Sequence, residues 1–415
     1  MNTFTAVFLA ALVVSAGLRL WLGSRHIRHV ETHRNRVPEG FADQITLAAH
    51  DKAARYTEAK TRLHLARVAI DALVLLALTL GGVLNWLDVA WQSLLGPGLW
   101  SGLALIGSVV VILSVIDLPL GWYRTFRIES RFGFNQMTLA LFASDLAKQA
   151  LVGAVVGAPL VLAVLWLMQE MGSNWWLYVW LLWVAFSIVM LVVYPTYIAP
   201  LFNKFSPMQE GDLKHRIEAL LVKCGFRSQG LFVMDGSRRS SHGNAYFTGF
   251  GRAKRIVFFD TLLSRLDPPE IEAVLAHELG HFRLHHVTKR MLLTFAVSLV
   301  FLWVLGRLMN EPWFYQGLGV STPSTAMALL LFFLVAPVFT FLLQPIMSVY
   351  SRKHEFEADA YAAQHACATD LVHALVKLYK DNASTLTPDP LHSAFYDSHP
   401  PAAQRIARLQ QLAPA

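Results

Sequence analysis

The sequence predicts a mainly α-helical protein that crosses a membrane several times and carries one small soluble α+β domain. Of its 415 residues, 55% are hydrophobic and only 15% are charged, whereas soluble domains average about 25% charged residues. Seven apolar stretches are each near the roughly 20 residues that a helix needs to cross a bilayer. A polar stretch between the fifth and the sixth contains strand patterns and a helix with a metal-ligand motif.

The predicted spans are separated by turns or polar loops. Their approximate limits are residues 4–22, 68–86, 99–118, 150–168, 175–199, 291–308 and 326–349. We expect the first to be an uncleaved anchor, because residues 1–5 carry no Lys or Arg and no cleavage site follows cleanly. Pro337 and Pro345 are expected to bend the seventh span.

The basic residues alternate between the two sides of the predicted membrane. Loops after the first, third, fifth and seventh spans are rich in Lys and Arg. Loops after the second and fourth contain neither, and the loop after the sixth contains only Arg307. The positive-inside rule therefore predicts an external amino terminus and a cytoplasmic metal-ligand motif. The net charge of +7 is explained by this asymmetry, so we expect no nucleic-acid partner.

Three short strand patterns lie in the polar stretch, about residues 203–289. They comprise residues 230–234, 244–250 and 255–259, with turn residues between them. A small sheet beside the following helix would offer an edge to which an extended peptide can add through backbone hydrogen bonds. A purely structural hairpin is the alternative interpretation.

The helix that follows these strands carries the motif H-E-x-x-H at residues 277–281. Asp267 suits the position that caps the start of this helix. Because His277 and His281 are four residues apart, they share one face, and both imidazoles can reach one Zn²⁺ ion. Glu278 can then act as the base toward water at that metal. The alternative is a surface helix with two solvated histidines.

A catalytic zinc site needs three protein ligands and one open position. Glu355 and Asp359 share a helix face further along the chain, and we assign Glu355 as the third ligand. Asp359 would accept a hydrogen bond from an imidazole N–H and fix its tautomer. His354, His285 and His286 are rival ligands, but each lies off the required face or spacing, so we expect them around the site or at the surface. The alternative for the acidic pair is a solvated helix start.

The carboxy-terminal part offers two further candidates. His399, in the sequence Ser-His-Pro-Pro, and Arg405 could both donate hydrogen bonds to an oxyanion that forms on a peptide carbonyl. A histidine at a helix start and a surface arginine are the alternative.

These features divide the chain into four predicted parts. Residues 1–202 hold spans one to five, 203–290 the zinc protease domain, 291–349 spans six and seven, and 350–415 the helical part with the third ligand and the Ser-His-Pro-Pro segment.

Taken together, the chain resembles the integral-membrane zinc metalloproteases called type I CAAX prenyl endopeptidases, over nearly its whole length. The resemblance rests on the motif at 277–281, Glu355-x-x-Ala358-Asp359, residues 398–401 with Arg405, Asn244-Ala245-Tyr246-Phe247, Gly133-Phe134-Asn135, and the position of the zinc motif between spans five and six.

This resemblance implies a ring of seven helices around a chamber within the membrane, capped by the zinc domain. It implies one Zn²⁺ per chain and a peptide substrate that is cleaved after a prenylated cysteine, with release of three carboxy-terminal residues. The implied roles are zinc ligation by His277, His281 and Glu355, base catalysis by Glu278, substrate backbone contacts at Asn244 and Ala245, and contact with the scissile carbonyl by His399 and Arg405.

Two alternatives from the sequence keep part of this interpretation. One is a membrane quality-control metalloprotease without a prenyl requirement. The other is a seven-span transporter or receptor with structural zinc, which would need a fourth protein ligand that no residue supplies at a fitting spacing. The end of the chain carries no endoplasmic-reticulum address, which favours a bacterial inner membrane. The oligomeric state is open.

Overall fold

The computed structural model describes residues 2–226, 230–248 and 255–412 of the chain, most of them in helices. The helices before the sheet are α1 Thr3–His33, α2 Leu47–Leu78, α3 Val83–Leu95, α4 Leu99–Tyr123, α5 Leu139–Glu170, α6 Trp175–Val193 and α7 Ala199–Phe202. The later helices are α8 Asp212–Lys223, α9 Asp260–Leu263, α10 Pro268–Arg283, α11 His286–Leu308, α12 Pro312–Gly317, α13 Thr325–Thr340, α14 Gln344–His365, α15 Ala368–Asp381, α16 Pro390–Tyr396 and α17 Ala402–Leu412.

Among the described residues, the membrane part contains six helical runs that could cross a bilayer, or seven if one bent pair counts as a single span. Six helical runs are long and apolar enough to cross a bilayer: Thr3–His33, Leu99–Glu129, Leu139–Glu170, Gly172–Phe202, His286–Leu308 and Thr325–His365. Helices α2 and α3 are apolar enough only when they are taken together, and they are bent by 50° at the break between them. The prediction of a polytopic, mainly α-helical membrane protein is therefore confirmed.

The second span differs from the continuous helix predicted over residues 68–86. Its helix ends at Leu78 and resumes at Val83. Gly82 has a φ of 79°, in the left-handed region where glycine carries no steric penalty. Hydropathy does not register this break, because the residues on both sides of it remain apolar.

The seventh span continues into the metal-ligand helix. Helix α13 leads through a short 3₁₀ turn, Phe341–Leu343, directly into α14, and the whole run extends to His365. Glu355 and Asp359 are therefore carried by the continuation of a membrane span. The predicted limit between residues 349 and 350 falls inside this helix, and the four-part division of the chain stays a prediction.

A four-stranded sheet lies in the polar region, with the strand order β1-β2-β4-β3. Its strands are β1 Phe205–Pro207, β2 Leu231–Met234, β3 Ala245–Thr248 and β4 Arg255–Phe259. β2 and β4 are parallel, and the other pairs are antiparallel. Three strands match the sequence patterns, while the three-residue β1 is too short to show one. Residues 249 and 250 of the middle pattern lie outside the described residues. Among the described residues β3 is an edge strand.

Two main groups of buried apolar side chains organise the fold. One lies among the spans and includes Phe8, Leu105 and Leu331. The other lies beneath α10 and includes Ile217, Phe258 and Leu279. The second group holds α10 against the sheet and against α14, and this contact positions the candidate site.

Candidate metal centre

Helix α10 starts with paired hydrogen bonds at its first turn. Asp267 and Glu270 form a reciprocal capping box around Pro268, which satisfies backbone N–H groups that have no partner inside the helix. The Lys377 ammonium group donates to both carboxylates, at 2.7 and 2.8 Å. The start of the helix is thereby fixed to α15, and the motif lies three turns further on.

Helices α10 and α14 approach each other closely at Gly280. A Cβ atom built on Gly280 would lie 3.0 Å from the Cα atom and 3.1 Å from the carbonyl oxygen of Ala358. Small residues on both helices therefore allow the backbones to meet. This contact brings the histidine face of α10 against the carboxylate face of α14.

The three predicted ligands lie together at this contact. His277 Nε2 and His281 Nε2 are 3.2 Å apart, and they lie 3.5 and 3.3 Å from the two carboxylate oxygens of Glu355. One ligand atom from each residue falls within 4.8 Å of the others. Glu355 Oε2 is buried and accepts no hydrogen bond among the described residues. Two imidazoles and a carboxylate are the donor set of a catalytic zinc site, so these residues fit a zinc ion.

His277 is supported from behind by two buried charged groups. Its Nδ1 atom lies 2.8 Å from Asp359 Oδ1. The Arg405 guanidinium donates to both oxygens of Asp359, at 2.9 and 2.6 Å. Burial lowers the pKa of His277, but the hydrogen bonds with Asp359 and Glu355 together outweigh burial and raise the pKa to about 9. The main ion-pair partner of Arg405 is therefore Asp359, although the Nη1 atom of Arg405 also lies 3.8 Å from Glu355.

Glu278 and His399 face a cavity of ≈ 360 Å³ beside the three ligands. Glu278 is half-buried on this wall. His399 Nε2 lies 3.5 Å from Glu355 Oε1, and 62% of its side chain is exposed. Desolvation by the surrounding protein still lowers the pKa of His399. Both groups can therefore reach a molecule in the cavity.

The edge of the sheet lines the same cavity. Asn244 and Ala245, at the start of β3, lie on its wall together with His277 and Glu278. β3 is an edge strand among the described residues, and its first residue, Ala245, lies on the cavity wall. An extended peptide could pair with such an edge.

A polar network that the sequence analysis did not single out fastens this edge to the membrane helices. Glu129 accepts a hydrogen bond from Tyr56 at 2.7 Å and lies 3.4 Å from His242 Nε2. His242 Nδ1 lies 3.1 Å from Asn382 Oδ1, and its ring stacks on Phe134 at 4.4 Å. Four of these residues belong to four separate parts of the chain, so no local spacing could have revealed the network. Only the Gly133-Phe134-Asn135 motif pointed toward it.

The rival histidines divide into two kinds. His285 is exposed, with a φ of 58° at the end of α10. His286 and His354 are buried next to the ligand group.

Comparison with known proteins assigns the family. Residues 26–204 match the family model "CAAX prenyl protease N-terminal, five membrane helices", and residues 207–413 match "Peptidase family M48". The chain is 35% identical to CAAX prenyl protease 1 homologues of Arabidopsis thaliana and Oryza sativa, over 89% and 90% of both chains respectively. The crystal structure of S. mikatae Ste24p superposes with a TM-score of 0.93 at 28% identity and covers 99% of both chains. The chain therefore belongs to the CAAX prenyl protease 1 family of M48 peptidases and is a multi-pass membrane metalloprotease.

Proposed function

We propose that His277, His281 and Glu355 bind one zinc ion and that Glu278 is the catalytic base for peptide hydrolysis. The observation that carries this proposal is the convergence of the three ligand atoms within 4.8 Å, beside a cavity that His277, Glu355 and Glu278 line. When bound, zinc would supply the positive charge that acidifies water and polarises a carbonyl group.

The protein's own groups would then move the protons. The Glu278 carboxylate takes a proton from water and passes it to the nitrogen of the leaving amine. His399 donates an N–H to the oxygen of the scissile carbonyl as negative charge develops there. Arg405 contributes its positive charge from behind the site and keeps Asp359 ionised, so that His277 keeps its orientation. Asn244 and Ala245 hold the substrate backbone along β3.

We further propose that the substrate is a protein with a prenylated carboxy-terminal cysteine, from which three residues are removed. The family relatives are named for this activity. A mainly apolar cavity of ≈ 240 Å³ lies between α1, α2, α4 and α13. Leu12, Leu75 and Leu334 line it, together with the charged residues Arg19 and Asp71. The hydrocarbon chain of a prenyl group could pack against these apolar side chains.

The remaining proposals concern location. The alternating Lys and Arg content of the loops supports an external amino terminus and a cytoplasmic site.

The test compares a farnesylated peptide with its unmodified twin, using purified wild-type protein and the Glu278→Gln variant. We expect rapid cleavage of the farnesylated peptide by the wild type, loss of cleavage in a chelator, and recovery on adding Zn²⁺. Glu278→Gln should lose on the order of 10³-fold in kcat while its metal content stays unchanged.

Each arm of this experiment can refute one part of the proposal. Equal turnover of both peptides would remove prenyl selectivity and favour a quality-control protease. Retained activity in Glu278→Gln would remove Glu278 as the base. Activity that survives complete metal removal would refute the zinc site.

A further inference from the structure

A second cluster of polar side chains lies directly behind His281. His281 Nδ1 is 3.0 Å from His286 Nδ1, and His286 Nε2 is 2.9 Å from Glu357 Oε2. The His286 ring also stacks on His354, with centroids 4.0 Å apart and planes 6° apart. The three outer groups, His286, His354 and Glu357, bring their potential ligand atoms within 4.8 Å of one another.

The stacked rings argue against a second cation at this cluster. An imidazole nitrogen binds a metal along a lone pair that lies in the plane of the ring, at about 2.1 Å. Because the rings of His286 and His354 are parallel and lie one above the other, a cation in the plane of one ring would lie well outside the plane of the other. The cluster is therefore organised as a hydrogen-bond chain.

One arrangement of protons along this chain leaves the Nε2 atom of His281 free to bind a metal. An ionised carboxylate only accepts hydrogen bonds, so Glu357 requires the proton of His286 on Nε2. A neutral His286 then presents a bare Nδ1, which accepts a hydrogen bond from the Nδ1–H group of His281. The remaining nitrogen of His281, Nε2, keeps its lone pair and faces His277 and Glu355. This tautomer is the one that a metal ligand needs.

The surrounding structure holds the chain in place. The left-handed residue His285, with a φ of 58°, turns the backbone between α10 and α11 and so returns His286 to His281, five residues earlier. His286 is only 4% exposed. The His354 ring covers one face of it, and Tyr350 contacts His354 edge-on at 4.3 Å. The ring plane of His286 is thereby fixed by packing.

We propose that His286 and Glu357 are positioning residues that set the tautomer and the orientation of His281 as a metal ligand. This inference rests on the proposed function, because it requires that His281 binds the metal. Outer partners of this kind typically contribute 10–100-fold to metal affinity.

The test measures the Zn²⁺ dissociation constant of the purified full-length protein by competition with a chelator. Two variants break the chain at different points. Glu357→Gln removes the charge at a half-exposed position, and His286→Phe keeps a stacked ring but has no nitrogen atoms. We expect both to bind Zn²⁺ about 10–100-fold more weakly than the wild type.

A matched control is available on the same metal-ligand helix. Glu272 is a partly exposed carboxylate of α10 that pairs with Arg216 at 2.9 Å and does not touch the histidines. Glu272→Gln should keep wild-type affinity. A Co²⁺-substituted sample gives a second measurement, because the visible spectrum reports the ligand geometry. The spectrum should change in Glu357→Gln and not in Glu272→Gln.

Two outcomes would overturn the inference, and they are distinct from failure of the proposed function. If Glu355→Ala weakens Zn²⁺ binding but either chain variant stays within about threefold of the control, the positioning role is wrong. An unchanged Co²⁺ spectrum in Glu357→Gln would also contradict it. If Glu355→Ala leaves Zn²⁺ affinity unchanged, the ligand assignment itself is wrong.

Discussion

The two histidines of the motif are supported in different ways. His277 lies against a buried ion pair, and the side chain of Asp359 behind it is 2% exposed. His281 lies against another imidazole, and the Glu357 side chain at the end of that chain is 36% exposed. The side chains of His277 and His281 are themselves 9% and 21% exposed. One ligand is thus held by buried charges and the other by a hydrogen-bond chain that reaches solvent.

Equivalent positions in a short motif therefore need not have equivalent roles in the fold. The Asp359–Arg405 pair joins α14 to α17, so it stabilises the tertiary structure as well as the ligand. The His286–Glu357 pair joins the start of α11 to α14 at the rim of the site. Removing the first should damage folding and metal binding together, whereas removing the second should affect metal binding alone.

The largest effect should come from Glu355→Ala, which removes the carboxylate that faces both histidines. We expect metal affinity to fall by more than the roughly 10–100-fold of an outer partner. Elemental analysis of the purified variant gives the metal-to-protein ratio. A ratio equal to that of the wild type would show that the third ligand is another residue. His277 and His281 could then not be compared as ligands of one metal ion held with Glu355.

Asp359→Asn should have the next largest effect, because it breaks the buried charged support. Arg405 would remain buried without its paired carboxylate, which typically costs about 3–5 kcal/mol. Thermal unfolding in detergent, with the metal removed, measures this loss. Glu357→Gln serves as the comparison and should unfold near the wild-type temperature. Equal destabilisation of both variants would show that the two supports do not differ.

Gly280→Ala should disturb the support of both His277 and His281, because both depend on the close contact between α10 and α14. The new Cβ would meet Ala358 at 3.0 Å, and overpacking of this kind typically costs about 1–3 kcal/mol. We expect lower thermal stability and weaker metal binding in the same variant. Gly17→Ala is a control, because a Cβ there meets nothing within 4 Å. A stable Gly280→Ala variant with wild-type affinity would contradict the close helix contact.

The last prediction is a pH dependence of metal binding, which should arise from the charged groups around His277. Without metal, His277 has a pKa raised to about 9, so below that pH a proton must leave before the imidazole can bind a cation. Metal affinity should therefore rise with pH up to about 9, by at most about tenfold per unit for this proton. Asp359→Asn removes the larger of the two hydrogen bonds that raise this pKa, so its slope near pH 8 should be smaller. Zn²⁺ competition assays from pH 6.5 to 9 measure this slope in both proteins. Equal slopes in the wild type and in Asp359→Asn would show that Asp359 does not raise the pKa of His277.

Local patterns were sufficient for the elements and for part of the site. Apolar length predicted the spans, and the spacing of His277, Glu278 and His281 follows from the helical period alone. The break at Gly82 was not predicted, because hydropathy carries no information about backbone conformation. His286 was expected around the site or at the surface, but its contact with Glu357 was not predicted, because sequence spacing does not indicate which side of His281 each of them reaches.

The sequence alone indicated two local properties. It showed which segments are apolar enough to enter a membrane, and which side chains share one helix face. The tertiary structure decided what stands behind each ligand. Arg405 reaches the surroundings of His277 across 128 positions of sequence, and Glu357 reaches His286 across 71. The close contact of Gly280 with Ala358 makes both approaches possible. Such contacts depend on how whole helices pack, and no short stretch of sequence contains that information.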